Sequence, residues 1–93
     1  MSDETRRLDG NAAAGLLAEI FPFEITSAQT TCATCGWTGR IGALLLYGGE
    51  MGAILRCPTC DTAHLRVAHL QDRYYVDMRG MKMLQISGER APA

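Results

Sequence analysis

Four cysteines stand in two pairs, Cys32-Ala33-Thr34-Cys35 and Cys57-Pro58-Thr59-Cys60, with twenty-one residues between the pairs. A two-residue gap turns the backbone tightly enough for both sulfurs of a pair to reach one ion at about 2.3 Å. Gly36 permits the backbone conformation that closes the first turn, and Pro58 fixes φ in the second where no N–H is needed. The spacing between pairs lies just beyond the about 15–20 residues usual for such patterns. The predicted chemistry is one shared four-thiolate metal site, Cys32, Cys35, Cys57 and Cys60, with a structural zinc ion as its occupant.

Four protein ligands close a tetrahedral sphere and leave no position for water or substrate, which argues against metal-assisted hydrolysis. The same ligand set takes iron, and the knuckles resemble those of rubredoxins, although Asp61 replaces their usual second glycine and aromatic residues are few. Two independent redox dithiols are the weaker alternative, because neither pair sits between a strand and a long helix. Structural disulfides are the other, and they belong to an exported chain. The start, Met1-Ser2-Asp3-Glu4-Thr5-Arg6-Arg7, is polar where a signal peptide turns apolar, and no apolar run is long enough to span a bilayer. The expectation is a cytoplasmic protein with reduced thiols.

Beyond the cysteines the candidates are weaker. His64 and His69 are the only histidines. His64 is out of phase with Leu65 and Val67 and is expected on the solvent side of a strand; His69 shares their phase and is expected to be partly buried. No serine, carboxylate pair or glycine-rich phosphate loop forms a catalytic constellation, so the chain is not expected to be an enzyme. Trp37, Arg40, Tyr47, Arg56, Arg66, Arg73, Tyr74 and Tyr75 mix aromatic and basic character that single-stranded nucleic acid can use. The favoured reading packs Trp37 and alternate tyrosines in the core and leaves the arginines solvated.

The elements that must position the cysteines are short. Residues 8–21 read as a helix: Asp9 or Asn11 can cap it, Ala12, Ala13 and Ala14 favour it, and Ala13, Leu16, Leu17 and Ile20 recur on one face. Pro22 blocks its continuation. Phe23, Ile25 and Ser27 then alternate with polar residues in a strand leading to the first knuckle. Residues 41–47 and 50–56 are apolar runs separated by Gly48-Gly49, which suits a hairpin turn that returns the second knuckle to the first. Leu65 and Val67 mark a fourth strand. Residues 73–78 and 81–86 are strand-like around Arg79-Gly80, as a hairpin or as one bulged strand. The fold class is a small antiparallel β zinc ribbon with a short N-terminal α-helix. It forms one domain over residues 8–87, between polar tails at 1–7 and 88–93.

Composition bounds these readings. Ninety-three residues, 47% hydrophobic and 20% charged, suit one ordinary globular domain. A chain this short buries only about two thirds of its unfolded surface, so a metal staple has a role to fill. The formal net charge is -1, without the basic excess of a general nucleic-acid binder.

At Leu8-Asp9-Gly10-Asn11-Ala12-Ala13-Ala14-Gly15-Leu16-Leu17, the two knuckles and Asp77-Met78-Arg79-Gly80, the chain resembles a family of small uncharacterised bacterial zinc-ribbon-like proteins. The resemblance spans about residues 8–86. It implies a four-cysteine zinc ribbon and transfers no activity. It also implies a neighbourhood of molybdenum-dependent, sulfite-oxidase-like enzymes and flavin reductases, which suits an accessory subunit or an electron-transfer partner of an oxidoreductase. The leading expectation is a zinc-stabilised, non-enzymatic module that binds another protein. A rubredoxin-like iron electron carrier and a nucleic-acid-binding ribbon are the alternatives.

Overall fold

The computed structural model describes residues 8–49 and 52–87. The tails predicted at 1–7 and 88–93 lie outside these residues. Among the described residues, eight strands form two antiparallel sheets. The larger has the order β1-β4-β5-β6-β7, from Leu8–Asp9, Leu45–Gly49, Gly52–Arg56, Ala63–Leu70 and Arg73–Asp77. The smaller has the order β3-β2-β8, from Thr38–Arg40, Gln29–Cys32 and Met81–Gln85. A short helix, α1 (Ala14–Ala18), packs at the N-terminal side. The expected class, a small antiparallel β fold with a short N-terminal helix, is the one observed.

One face of the larger sheet carries the core. Leu46 lies opposite Leu55, Leu55 opposite Leu65, and Ala53 opposite Val67, and directly opposed residues share a face. Ala13, Leu17, Ile25, Ile41 and Leu44 close over this stripe. Leu17 is completely buried, a placement that stabilises by about 1.5–3 kcal/mol. The four apolar residues predicted to face the core do so: Ala13 and Leu17 are buried, and Leu16 and Ile20 pack against the core.

The helix boundaries are not those predicted. Leu8 and Asp9 pair with Leu46 and Leu45, which takes their backbone groups into the sheet. A 3-10 turn over Gly10–Ala13 follows, and the α-helix occupies only Ala14–Ala18. Ala13 holds the N-cap position of α1 without a side-chain hydrogen bond. The helix ends before Pro22, as its ring requires.

Three other expectations need correcting. The strand predicted from Phe23 begins at Gln29 instead, because Glu24 Oε1 accepts from the Thr26 hydroxyl at 2.6 Å and its backbone N–H at 3.3 Å. That local bond folds Ile25–Ser27 into a 3-10 turn, the usual competition of a side-chain acceptor with a backbone ladder. Gly48 and Gly49 do not form the hairpin turn; they pair with Ala53 and Gly52 inside the ladder, and Ile41–Ala43 is a 3-10 turn. Residues 73–77 and 81–85 are neither a hairpin nor one bulged strand, since β7 pairs with β6 and β8 pairs with β2 in the other sheet. No helix among the described residues is long and apolar enough to cross a membrane.

Candidate metal centre

Each knuckle begins at the end of a strand, Cys32 closing β2 and Cys57 following β5. The two repeat one backbone pattern. Cys32 N–H donates to the Trp37 carbonyl at 2.8 Å, and Cys57 N–H donates to the Thr62 carbonyl at 2.8 Å. Gly36 N–H returns to the Cys32 carbonyl, and Asp61 N–H to the Cys57 carbonyl. Closing these turns requires a left-handed residue at the fifth position, and Gly36 (φ 82) and Asp61 (φ 70) supply it. Asp61 thus fills the role of the second glycine.

The segment Asp77-Met78-Arg79-Gly80 holds the first knuckle from outside. Asp77 Oδ1 accepts from the Arg79 backbone N–H at 3.1 Å, which reverses the chain from β7 into β8. The Gly80 carbonyl then accepts from Ala33 N–H at 2.9 Å. Gly80 lies so close to β6 that an added Cβ would stand 1.7 Å from the Ala63 carbonyl oxygen. Only glycine fits there.

These elements bring all four cysteine sulfurs within 4.8 Å of one another. Cys32 Sγ lies 3.5 Å from Cys60 Sγ, and Cys35 Sγ lies 3.7 Å from Cys57 Sγ. A tetrahedral ion with bonds of about 2.3 Å sets its sulfurs about 3.8 Å apart. The four thiols fit a metal ion of that kind, and none stands at the about 2.05 Å of a disulfide. Cys32 and Cys57 are buried, Cys60 is half-buried and Cys35 is exposed, so the centre is open to solvent on one side.

Neighbouring donors tune the sulfurs. Burial pushes the Cys32 thiol up, but hydrogen bonds from the backbone of Cys35 and Thr34, with help from the adjacent sulfurs, bring it down to about 6. Burial likewise raises Cys57, and the hydroxyl and backbone N–H of Thr59 outweigh it, giving about 7. Thr62 lowers Cys60 through its hydroxyl and N–H, but burial and the sulfurs of Cys32 and Cys35 leave that thiol raised. A cation among these sulfurs would favour their thiolate forms. Thr59 stands between the knuckles, its hydroxyl 3.0 Å from Cys35 Sγ and 3.2 Å from Cys57 Sγ. Sequence reasoning missed this role, for which an i, i+2 hydroxyl after a metal-binding cysteine is the available signal.

Both histidine expectations are reversed. His64 is fully buried, with Nδ1 2.9 Å from the Thr30 hydroxyl and its ring edge-on to Trp37. His69 is exposed and stacks on Tyr74 at 4.2 Å between ring centroids. For His64 the strand phase failed because β6 shifts register against β5 between Leu55 and Arg56, beside it; His69 keeps the phase of Leu65 and Val67 but lies at the exposed end of the strand. Neither histidine joins the sulfur cluster. Trp37 packs against the core as expected, whereas Tyr47, Tyr74 and Tyr75 are exposed.

A profile of a family of unknown function, DUF6510, matches residues 3–89. The chain belongs to DUF6510. The match covers nearly the whole DUF6510 sequence, both knuckles and the Asp77–Gly80 turn included, and agrees with the resemblance to an uncharacterised family. No curated protein and no solved structure matches the DUF6510 chain.

Proposed function

We propose that this protein is a zinc-stabilised, non-enzymatic module that binds another protein, as a scaffold or accessory subunit. The observation that carries the reading is the sulfur cluster, in which Cys32, Cys35, Cys57 and Cys60 supply four sulfurs close enough to fill a tetrahedral sphere. Such an ion contributes folding energy and offers no site to substrate. Zinc is the preferred occupant because a closed thiolate tetrahedron suits an ion without redox chemistry or geometric preference.

The larger sheet's second face supports a protein partner. Tyr47, Ile54, Arg66 and Asp77 lie opposite one another in a row across four strands, beside a shallow groove of about 850 Å³. Aromatic and arginine side chains on an open face are typical of protein interfaces. The arginines here have acidic neighbours: Arg56 approaches Asp61 at 3.9 Å and lies 5.7 Å from the Tyr47 ring centre, and Arg66 is opposite Asp77. That local compensation favours a protein over a polyanion.

One observation favours a second reading. The Thr34 backbone N–H donates to Cys32 Sγ at 3.4 Å, the kind of contact that tunes an iron–thiolate potential, and an oxidoreductase partner would suit an electron carrier. Elemental analysis and an absorption spectrum of protein purified without added metal separate the two. One equivalent of zinc with no visible bands is expected; iron with thiolate-to-iron bands would replace the structural reading by electron transfer. Capture from the native cell extract then tests the partner. A protein retrieved by wild type and lost with Ile54→Glu is the expected result, and the absence of any specific partner would remove the module reading.

A further inference from the structure

The four sheet edges are unequally protected. Exposed edges invite pairing with other chains, and proteins blunt them with short strands, lysine, proline or bulges. β1 is two residues long and β3 is three. β8 carries Lys82 and a register shift against β2. β7 has no lysine, proline or bulge: it is Arg73-Tyr74-Tyr75-Val76-Asp77, with three central residues of high strand propensity and charges confined to its two ends, paired with β6 on one side only. Tyr74, Tyr75 and Val76 are all exposed, as is Leu70 beside them, whereas among the other described residues only Tyr47 and Met83 are comparable.

We propose that the outer edge of β7 pairs antiparallel with β7 of a second copy of this chain, joining two five-stranded sheets into one. Charge complementarity selects both the partner and the register. A two-fold axis through Tyr75 is the register that pairs all five residues, and it sets Arg73 opposite the second copy's Asp77 at both ends. Tyr74 then faces the second copy's Val76, and the two Tyr75 rings meet at the axis. Moving the axis to Tyr74 or Val76 removes both charge pairs, and a one-residue slip turns each sheet's core face toward the other's open face. Asp77 already holds Arg79 at 3.1 Å, yet a carboxylate has lone pairs for a further guanidinium. Arg73 has no side-chain hydrogen bond or ion pair among the described residues. The pairing leaves the sulfur cluster untouched and brings the two open faces to the same side of the joined sheet.

Sedimentation equilibrium of metal-loaded wild type at high micromolar concentration should give twice the 10.1 kDa chain mass. Arg73→Glu opposes two acidic groups at each end and should halve that mass while metal content and circular dichroism stay unchanged. Adding Asp77→Arg to it should restore the dimer. Because that double variant also alters the Asp77–Arg79 turn, Tyr75→Glu gives an independent test: it places two carboxylates at the axis, on a side chain 55% exposed, and should also yield monomer. A monomeric wild type, or a dimer that survives both Arg73→Glu and Tyr75→Glu, would overturn the proposal.

Discussion

The Thr30 hydroxyl lies 2.9 Å from His64 Nδ1, and this buried contact ties β2 of the smaller sheet to β6 of the larger one behind the sulfur cluster. Both residues are completely buried. His64 Nε2 finds no hydrogen-bond partner among the described residues, so the Thr30 contact carries the polar satisfaction of the ring. Thr30→Val keeps the volume and removes the hydroxyl, leaving a second unpaired nitrogen. The expected cost is about 1–3 kcal/mol, the penalty of a buried group that loses its partner. Urea denaturation with metal present reads it, and an unchanged midpoint would show that the two sheets do not depend on this bond.

Removing the ion should unfold the domain. Metal binding in comparable small sites provides about 10–16 kcal/mol, against about 5–15 kcal/mol of net stability for a whole domain. Chelation should therefore abolish the native circular dichroism, and re-addition of metal should restore it. Cys32→Ser and Cys57→Ser, at buried ligands, should be more damaging than Cys35→Ser at the exposed one. Native-like spectra in fully stripped protein would contradict the stabilising role.

Acid should weaken the site within a definite window. Despite burial, backbone and hydroxyl hydrogen bonds hold the folded thiols of Cys32 and Cys57 down to about 6 and about 7, below their ordinary value of 9.0. A depressed acid contributes stability that is complete above its unfolded pKa and disappears as pH falls through its folded one. Protons also compete directly with metal for thiolate. Denaturation midpoints should hold near pH 9, decline through pH 7 and fall with loss of bound metal near pH 6. A midpoint that rose across this range would have the wrong sign.

The two left-handed residues make an internal comparison. Gly36 and Asp61 occupy equivalent knuckle positions with φ of 82 and 70. A side chain in this conformation costs about 1–2 kcal/mol, less for Asp than for most residues. Gly36→Ala should destabilise by about 1 kcal/mol, while Asp61→Gly should be neutral or mildly stabilising because its ion pair with Arg56 is long and exposed. Melting temperatures of the two metal-loaded variants decide it. Equal losses in both would mean that the backbone conformation is not the governing factor.

The cysteine spacing was enough to read the site, because a CxxC turn is a local structure that needs no tertiary partner to bring two sulfurs together. The same holds for the apolar face of Ala13 and Leu17, which follows from helical periodicity, and for Gly36, whose lack of a side chain suits the turn. Other features were settled by partners distant in sequence. Leu8 and Asp9 look helical in their own context, but pairing with β4 gives their backbone a competing ladder. β7 and β8 read as neighbours, yet the Asp77–Arg79 turn sends them into different sheets. His64 is buried where a register shift, which no residue pattern announces, changes which side of the strand is covered, whereas His69 keeps the phase of Leu65 and Val67 and is exposed beside the exposed Leu70 at the strand's end. Local chemistry thus determined the candidate metal ligands. Long-range backbone pairing decided the sheets, the buried histidine and the open edge, since every residue except proline offers the same backbone donor and acceptor, which carry no record of their partner.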